Sequence, residues 1–319
     1  MLAPMRNRLL LFLKGAAMGL AEVIPGVSGG TLAFITGIYE ELLDTIKSIL
    51  GPDLFKAFRQ GGLSAVWEKA NGPFLAVLLP GMAFGLVTGV FIVTRLLESH
   101  PQLLWAFFFG LILASVWYIG KRVGRWTVVE ISGLVAAAAL AYYITVAAPA
   151  QGIDSLWFIL ICGMIAISAL ILPGISGSFI LLLMGMYTVI IPAVKTALTT
   201  FDSASLKILG VFAVGALIGL ATFSRFLSWA FKHHRSLTMA ILTGFMVGSL
   251  NKIWPWRNVI EYRIDSHGEE VPFLEKSVLP AAYDGEPMVL GVIVLVIIGF
   301  LIVWFLDQTP VDEEEPDVA

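Results

Sequence analysis

The sequence predicts an all-α integral membrane protein built from two inverted-topology repeats. Three observations carry that expectation: an apolar composition, a glycine-rich motif that occurs twice, and a one-sided distribution of lysine and arginine. Of 319 residues, 58% are hydrophobic and 13% charged, against about a quarter charged in ordinary soluble domains. The mean hydropathy is +0.89. Apolar runs close to or above the ~20 residues that span a bilayer recur at Phe74–Leu97, Leu103–Ile119, Val128–Ala148, Ile208–Phe231 and Val289–Leu306. The longest polar stretch, Pro255–Pro287, is too short to hide a soluble catalytic domain. The single cysteine, Cys162, excludes an intramolecular disulfide and any cysteine-based metal cluster, and reads as a small core residue.

The repeat is legible in the motif. Pro25-Gly26-Val27-Ser28-Gly29-Gly30-Thr31 recurs as Pro173-Gly174-Ile175-Ser176-Gly177-Ser178-Phe179, and the match extends to Gly37/Gly185 and Tyr39/Tyr187 at a constant offset of 148. A second block, Gly85, Gly89 and Arg95, matches Gly215, Gly219 and Arg225 at an offset of 130. The offset drops because the polar connector Gly51–Gly72 has only a short counterpart near Thr199–Ser205, and a gap belongs in a connector.

Each half then reads alike. Residues 1–150 hold a broken hairpin over 9–50 and spans near 74–97, 103–119 and 128–148. Residues 151–307 hold a hairpin over 156–198 and spans near 208–231, 236–254 and 288–306, before an acidic tail at 308–319. Arg6 and Arg8 precede an apolar run as in a signal peptide, but Lys14 interrupts it and the helix leads straight into the first motif, so it reads as retained. Whether the hairpins cross or re-enter, each half makes an odd number of crossings, so the halves are inverted. Lys56, Arg59, Lys69, Lys121, Arg122, Arg125 and the Lys232–Arg235 connector fall on the same side as Arg6 and Arg8. The positive-inside rule makes that side cytoplasmic, with both termini there and the net-acidic loop 255–287 outside.

The breaks carry the chemistry. Pro25, Gly26, Pro173 and Gly174 interrupt helix, and backbone groups freed at membrane depth are tolerated only where protein or a watery cavity satisfies them. Two such breaks at corresponding places point to a transporter binding site. Ser28 and Ser176 stand where N-caps belong. The N–H groups of Gly29, Gly30 and Thr31, and of Gly177, Ser178 and Phe179, would then point into the break, and helix N-termini suit anions, phosphate included. The bland reading is that the prolines merely kink helices for packing. Glu22, whose repeat equivalent is Leu170, is an ionisable group inside an apolar run. It is a candidate proton acceptor, sodium ligand or arginine partner, or else a surface cap. Arg95 and Arg225 are candidate phosphate forks, with snorkelling to headgroups as the rival.

His100, His233, His234 and His267 fall in loops, while Trp254 and Trp256 read as interface anchors. No Ser/His/Asp set, metal cluster or P-loop is present in the sequence, so neither enzyme chemistry nor a cofactor or metal is expected, and nothing suggests nucleic acid.

The stretches KGAAMGLAEVIPGVSGGTLAFITGIYEELL (14–43) and LPGISGSFILLLMGMY (172–187) resemble the polyprenyl-phosphate (undecaprenyl phosphate) transporter family, formerly a domain-of-unknown-function family. Many of its members read aspartate where this chain has Glu22. The resemblance implies a flippase of the bacterial cytoplasmic membrane that recycles the C55 carrier undecaprenyl phosphate from the outer to the inner leaflet for cell-wall (peptidoglycan) synthesis. Its partners would be the polyprenyl-phosphate substrate, membrane lipids, and H+ or Na+ as coupling ion. A secondary transporter or channel for a small soluble anion is the competing reading.

Overall fold

The computed structural model describes residues 5–23, 28–147, 155–264 and 270–308. Pro25 and Gly26 of the first break, the 149–154 connector, His267 and the acidic tail past residue 308 lie outside them. The first half runs through α1 (Met5–Glu22), the short α2 (Gly29–Ile35), α3 (Tyr39–Ile49), α4 (Pro52–Lys69), α5 (Gly72–Ser99), α6 (Pro101–Arg122) and α7 (Val128–Val146). The second runs through α8 (Leu156–Ile171), the short α9 (Gly177–Leu183), α10 (Tyr187–Thr200), α11 (Ser203–His233), α12 (Arg235–Ser249), β1 (Arg257–Ile264), β2 (Glu270–Ser277) and α13 (Val289–Gln308). In α5, α6, α7 and α11 the apolar stretch is long enough to cross a membrane. Outward faces of α5, α7, α11 and α13 expose Phe91, Val128, Leu217 and Leu290, a surface suited to lipid.

Two connectors depart from expectation. The 51–72 segment folds into α4, which exposes Phe55, Phe58 and Trp67 beside Lys56 and Arg59 and is interrupted at Gly62. The 255–287 loop breaks the all-α expectation. Its β1 and β2 pair antiparallel, with Arg257 opposite Ser277 and Ile264 opposite Glu270, so the strands satisfy each other's backbone groups outside the helical bundle.

Small residues set the helix pairing. Gly15 of α1 packs against Leu78 O and Met82 N of α5, and Gly163 of α8 packs in the same way against Phe212 O and Ala216 N of α11. The first helices correspond at the motif's offset of 148, but Leu78 and Met82 correspond to Phe212 and Ala216 at 134, one helical turn from the 130 of the sequence match. Glycines spaced four apart in Gly81, Gly85 and Gly89 let the match slip by a turn. In this packing Arg95 corresponds to Trp229 and Arg225 to Phe91, so the two arginines are not equivalent.

The core lies between α3, α5, α6 and α12, where Tyr39, Leu78, Ile112, Leu242 and Met246 are fully buried. At the start of α12, Arg235 pairs with Glu40 of α3 at 2.8 Å, and Ser228 of α11 donates to Asp44 of α3 at 3.0 Å. At the other end the strand pair is tied down by Trp254 and Trp256, whose indole N–H groups donate to Val278 O and Pro287 O, both at 2.8 Å. The tryptophans therefore hold the loop to the bundle.

Candidate functional site

The second break begins where α8 runs out of donors. Pro173 cannot offer an N–H to Ala169 O, and Gly174 turns the chain at φ +86, where an added Cβ would also meet Ser249 Oγ at 2.8 Å. Leu170 O and Ile171 O are thereby left without helical partners. The first motif supplies them. Ser28 Oγ donates to Leu170 O at 2.6 Å, and the Tyr39 hydroxyl donates to Ile171 O at 3.0 Å. In return Gly174 N donates to Thr31 Oγ1 at 2.9 Å. Gly30 allows this approach, because a Cβ there would lie 2.5 Å from Ile171 O. The two breaks are therefore interlocked, with Ser28, Thr31, Tyr39 and Ser176 all buried.

Around each break the neighbouring geometry is the same but the chemistry is not. Gly29 packs on Met18 and Glu22 of α1, and Gly177 packs on the corresponding Ala166 and Leu170 of α8. In the first half Glu22 Oε1 accepts from Gly29 N at 2.7 Å, and Ser28, the N-cap of α2, accepts from Gly30 N at 3.1 Å. Thr31 N turns back to Ser28 O at 2.9 Å. The donors expected to point into the first break are thus already used, and the acceptor at this helix end is the protein's own Glu22 carboxyl group. Leu170 cannot play that part. Ser176 caps α9 without a side-chain bond to its N–H groups and instead lies 2.9 Å from the Ser178 hydroxyl. Among the described residues the Gly177, Ser178 and Phe179 N–H groups have no hydrogen-bond partner, and the Ser178 side chain is exposed.

The arginines lie elsewhere. Arg225 donates to Ala221 O at 2.8 Å and to Leu50 O at 2.7 Å, closing the C-terminal end of α3. Leu50 is eleven residues past Tyr39, about 16 Å along a helix. Arg95 is exposed near the end of α5, six residues past the Gly89 that packs on Leu20 and Val23. A helix end attracts a cation to its free carbonyls, which is what Arg225 provides.

Tyr39 matches Tyr187 in the repeat, but nothing in the sequence gives it a partner. Its partner lies 132 residues away, so only the fold reveals it. Tyr39→Phe keeps the ring and strands Ile171 O, and should cost about 1–3 kcal/mol. A lowered thermal midpoint in detergent is the expected reading, and an unchanged midpoint would count against the interlock.

Among the described residues, interlocked helix breaks beside four helices long and apolar enough to cross a bilayer define the class: a helical membrane protein. The chain belongs to the undecaprenyl phosphate translocase-like family (VCA0040-like), whose family model matches residues 18–271. It is similar to the polyprenyl-phosphate transporter of Vibrio cholerae serotype O1, at 45% identity over 278 residues, covering 87% of this chain and 88% of the relative. It is also similar to the polyprenyl-phosphate transporter of Staphylococcus aureus, at 32% identity over 257 residues, covering 76% of this chain and 85% of the relative. No solved structure matches the chain.

Proposed function

We propose that the protein moves undecaprenyl phosphate, unaltered, from the outer to the inner leaflet of the bacterial cytoplasmic membrane. In this reading residues 1–150 and 151–307 are inverted repeats, their hairpins re-enter rather than cross, and both termini are cytoplasmic. The phosphate rests at the second break on the Ser176 and Ser178 hydroxyls and the Gly177 N–H, facing Ser28, Gly29, Gly30 and Thr31. The isoprenoid tail stays in lipid, and rocking of one repeat against the other alternates access.

The observation that carries this reading is the unequal pair of helix ends: Glu22 fills the first, and Leu170 leaves the second open. The printed names of the relatives supply the substrate class. Glu22 is the coupling group. The phosphate at the second break faces its carboxylate, so a proton on Glu22 removes the like charge opposite the headgroup and favours its entry. Arg225 supports the site indirectly, by fixing the end of α3 that begins at Tyr39.

Transfer of undecaprenyl phosphate between leaflets of proteoliposomes tests the function. Leu170→Glu gives the second end its own carboxylate and should lower transfer about tenfold or more, the worth of one charge-assisted hydrogen bond. Unchanged transfer would sink the assignment of the open end. Uptake of soluble phosphate without lipid transfer would instead favour a soluble-anion carrier.

A further inference from the structure

The loop after α12 buries two cations beside one carboxylate. Arg257 Nη2 meets Glu275 Oε2 at 2.8 Å, and Lys252 Nζ lies 3.8 Å from the same oxygen. Arg257 Nη1 donates to Lys252 O at 2.7 Å. The Arg257 side chain is only 6% exposed, yet its Nε–H has no partner among the described residues. Lys252, three residues past the end of α12, has one long ionic contact and rests over the Phe179 ring, 4.4 Å from its centroid. Burial, with the Arg257 charge adding to it, holds this ammonium down at about 8 against the opposing pull of Glu275. Buried charges are ordinarily paired; here, among the described residues, one carboxylate serves two cations and a positive charge is left over.

The position is as telling as the charge. Phe179 directly follows Ser178, so the cluster adjoins the second break. Asn251 and Ser277, which flank it, also line an open, largely apolar groove with Phe109, Leu250, Trp254, Val278 and Leu279.

We propose that Lys252 and Arg257 form a receiving site for a phosphate monoester, the headgroup of the lipid on its way to the second break. The phosphate offsets the surplus charge and takes the Arg257 Nε–H together with the free Lys252 donors. The apolar groove receives the first part of the isoprenoid chain. This inference rests on the polyprenyl-phosphate reading, although free phosphate shares the headgroup chemistry.

The test uses full-length protein in nanodiscs, titrated with farnesyl phosphate and, separately, with inorganic phosphate. Lys252→Met should weaken farnesyl phosphate binding about tenfold or more, and Lys252→Arg should retain it. Glu275→Gln should tighten it, a gain that a folding defect does not produce. Unchanged affinity in Lys252→Met, with undecaprenyl phosphate transfer intact in the wild type, overturns the receiving site and leaves the function standing. Weaker binding in Glu275→Gln overturns the surplus-charge account. Inorganic phosphate bound as tightly as farnesyl phosphate, and through Lys252, overturns the lipid as the source. Wild-type protein that neither binds farnesyl phosphate nor transfers undecaprenyl phosphate overturns the function itself.

Discussion

With Glu22 as the proposed coupling group, Glu22→Gln should lower gradient-driven transfer of undecaprenyl phosphate about ten- to a hundredfold while leaving equilibrium exchange in place. The amide keeps the shape of the side chain and can still accept from Gly29 N, so the 2.7 Å contact survives in weaker form. What it loses is the charge, and a hydrogen bond to a charged group is worth about 1.5–3 kcal/mol. A group that cannot ionise cannot exchange its proton for the phosphate, so binding goes on and coupling stops. Transfer measured with and without an imposed pH gradient separates the two. A variant that still responds to the gradient as the wild type does would remove Glu22 from the coupling step.

Gly30→Ala should destabilise the fold by about 3 kcal/mol or more and abolish transfer with it. The new methyl would lie 2.5 Å from Ile171 O and 2.8 Å from Leu170 O. Both atoms are backbone and cannot turn aside as a flexible side chain would. The breaks must separate, and separation also strains the Ser28–Leu170 and Tyr39–Ile171 hydrogen bonds. Gly210→Ala is the control, since a Cβ there meets open space. A fall in the thermal midpoint for Gly30→Ala but not for Gly210→Ala is expected; equal midpoints would show that the breaks do not touch as described.

Much of this was legible in the residues. The doubled Pro-Gly-x-Ser-Gly motif located the break at Gly174, Ser28 fell where the cap of α2 is, and Glu22 stood out as a carboxylate in an apolar run. The use of Glu22 was not legible, because its partner Gly29 lies seven residues on, outside the reach of a continuous helical turn. The cross-bonding of Ser28, Thr31 and Tyr39 was hidden for a similar reason: the partners sit more than 130 residues away. The arginines were misplaced because glycines recurring every four residues permit two alignments one helical turn apart, and only the packing of Gly15 and Gly163 distinguishes them. Lys252 and Arg257 were masked by the net-acidic composition of their loop, which does not say which charges are buried.

The claim that the paired breaks hold the headgroup is tested most directly by an experimental structure of the protein in nanodiscs containing undecaprenyl phosphate. The account predicts phosphate density within hydrogen-bonding distance of the Ser176 or Ser178 hydroxyl, with the isoprenoid chain leaving toward lipid. Headgroup density confined to the bilayer surface, remote from both breaks, would contradict it.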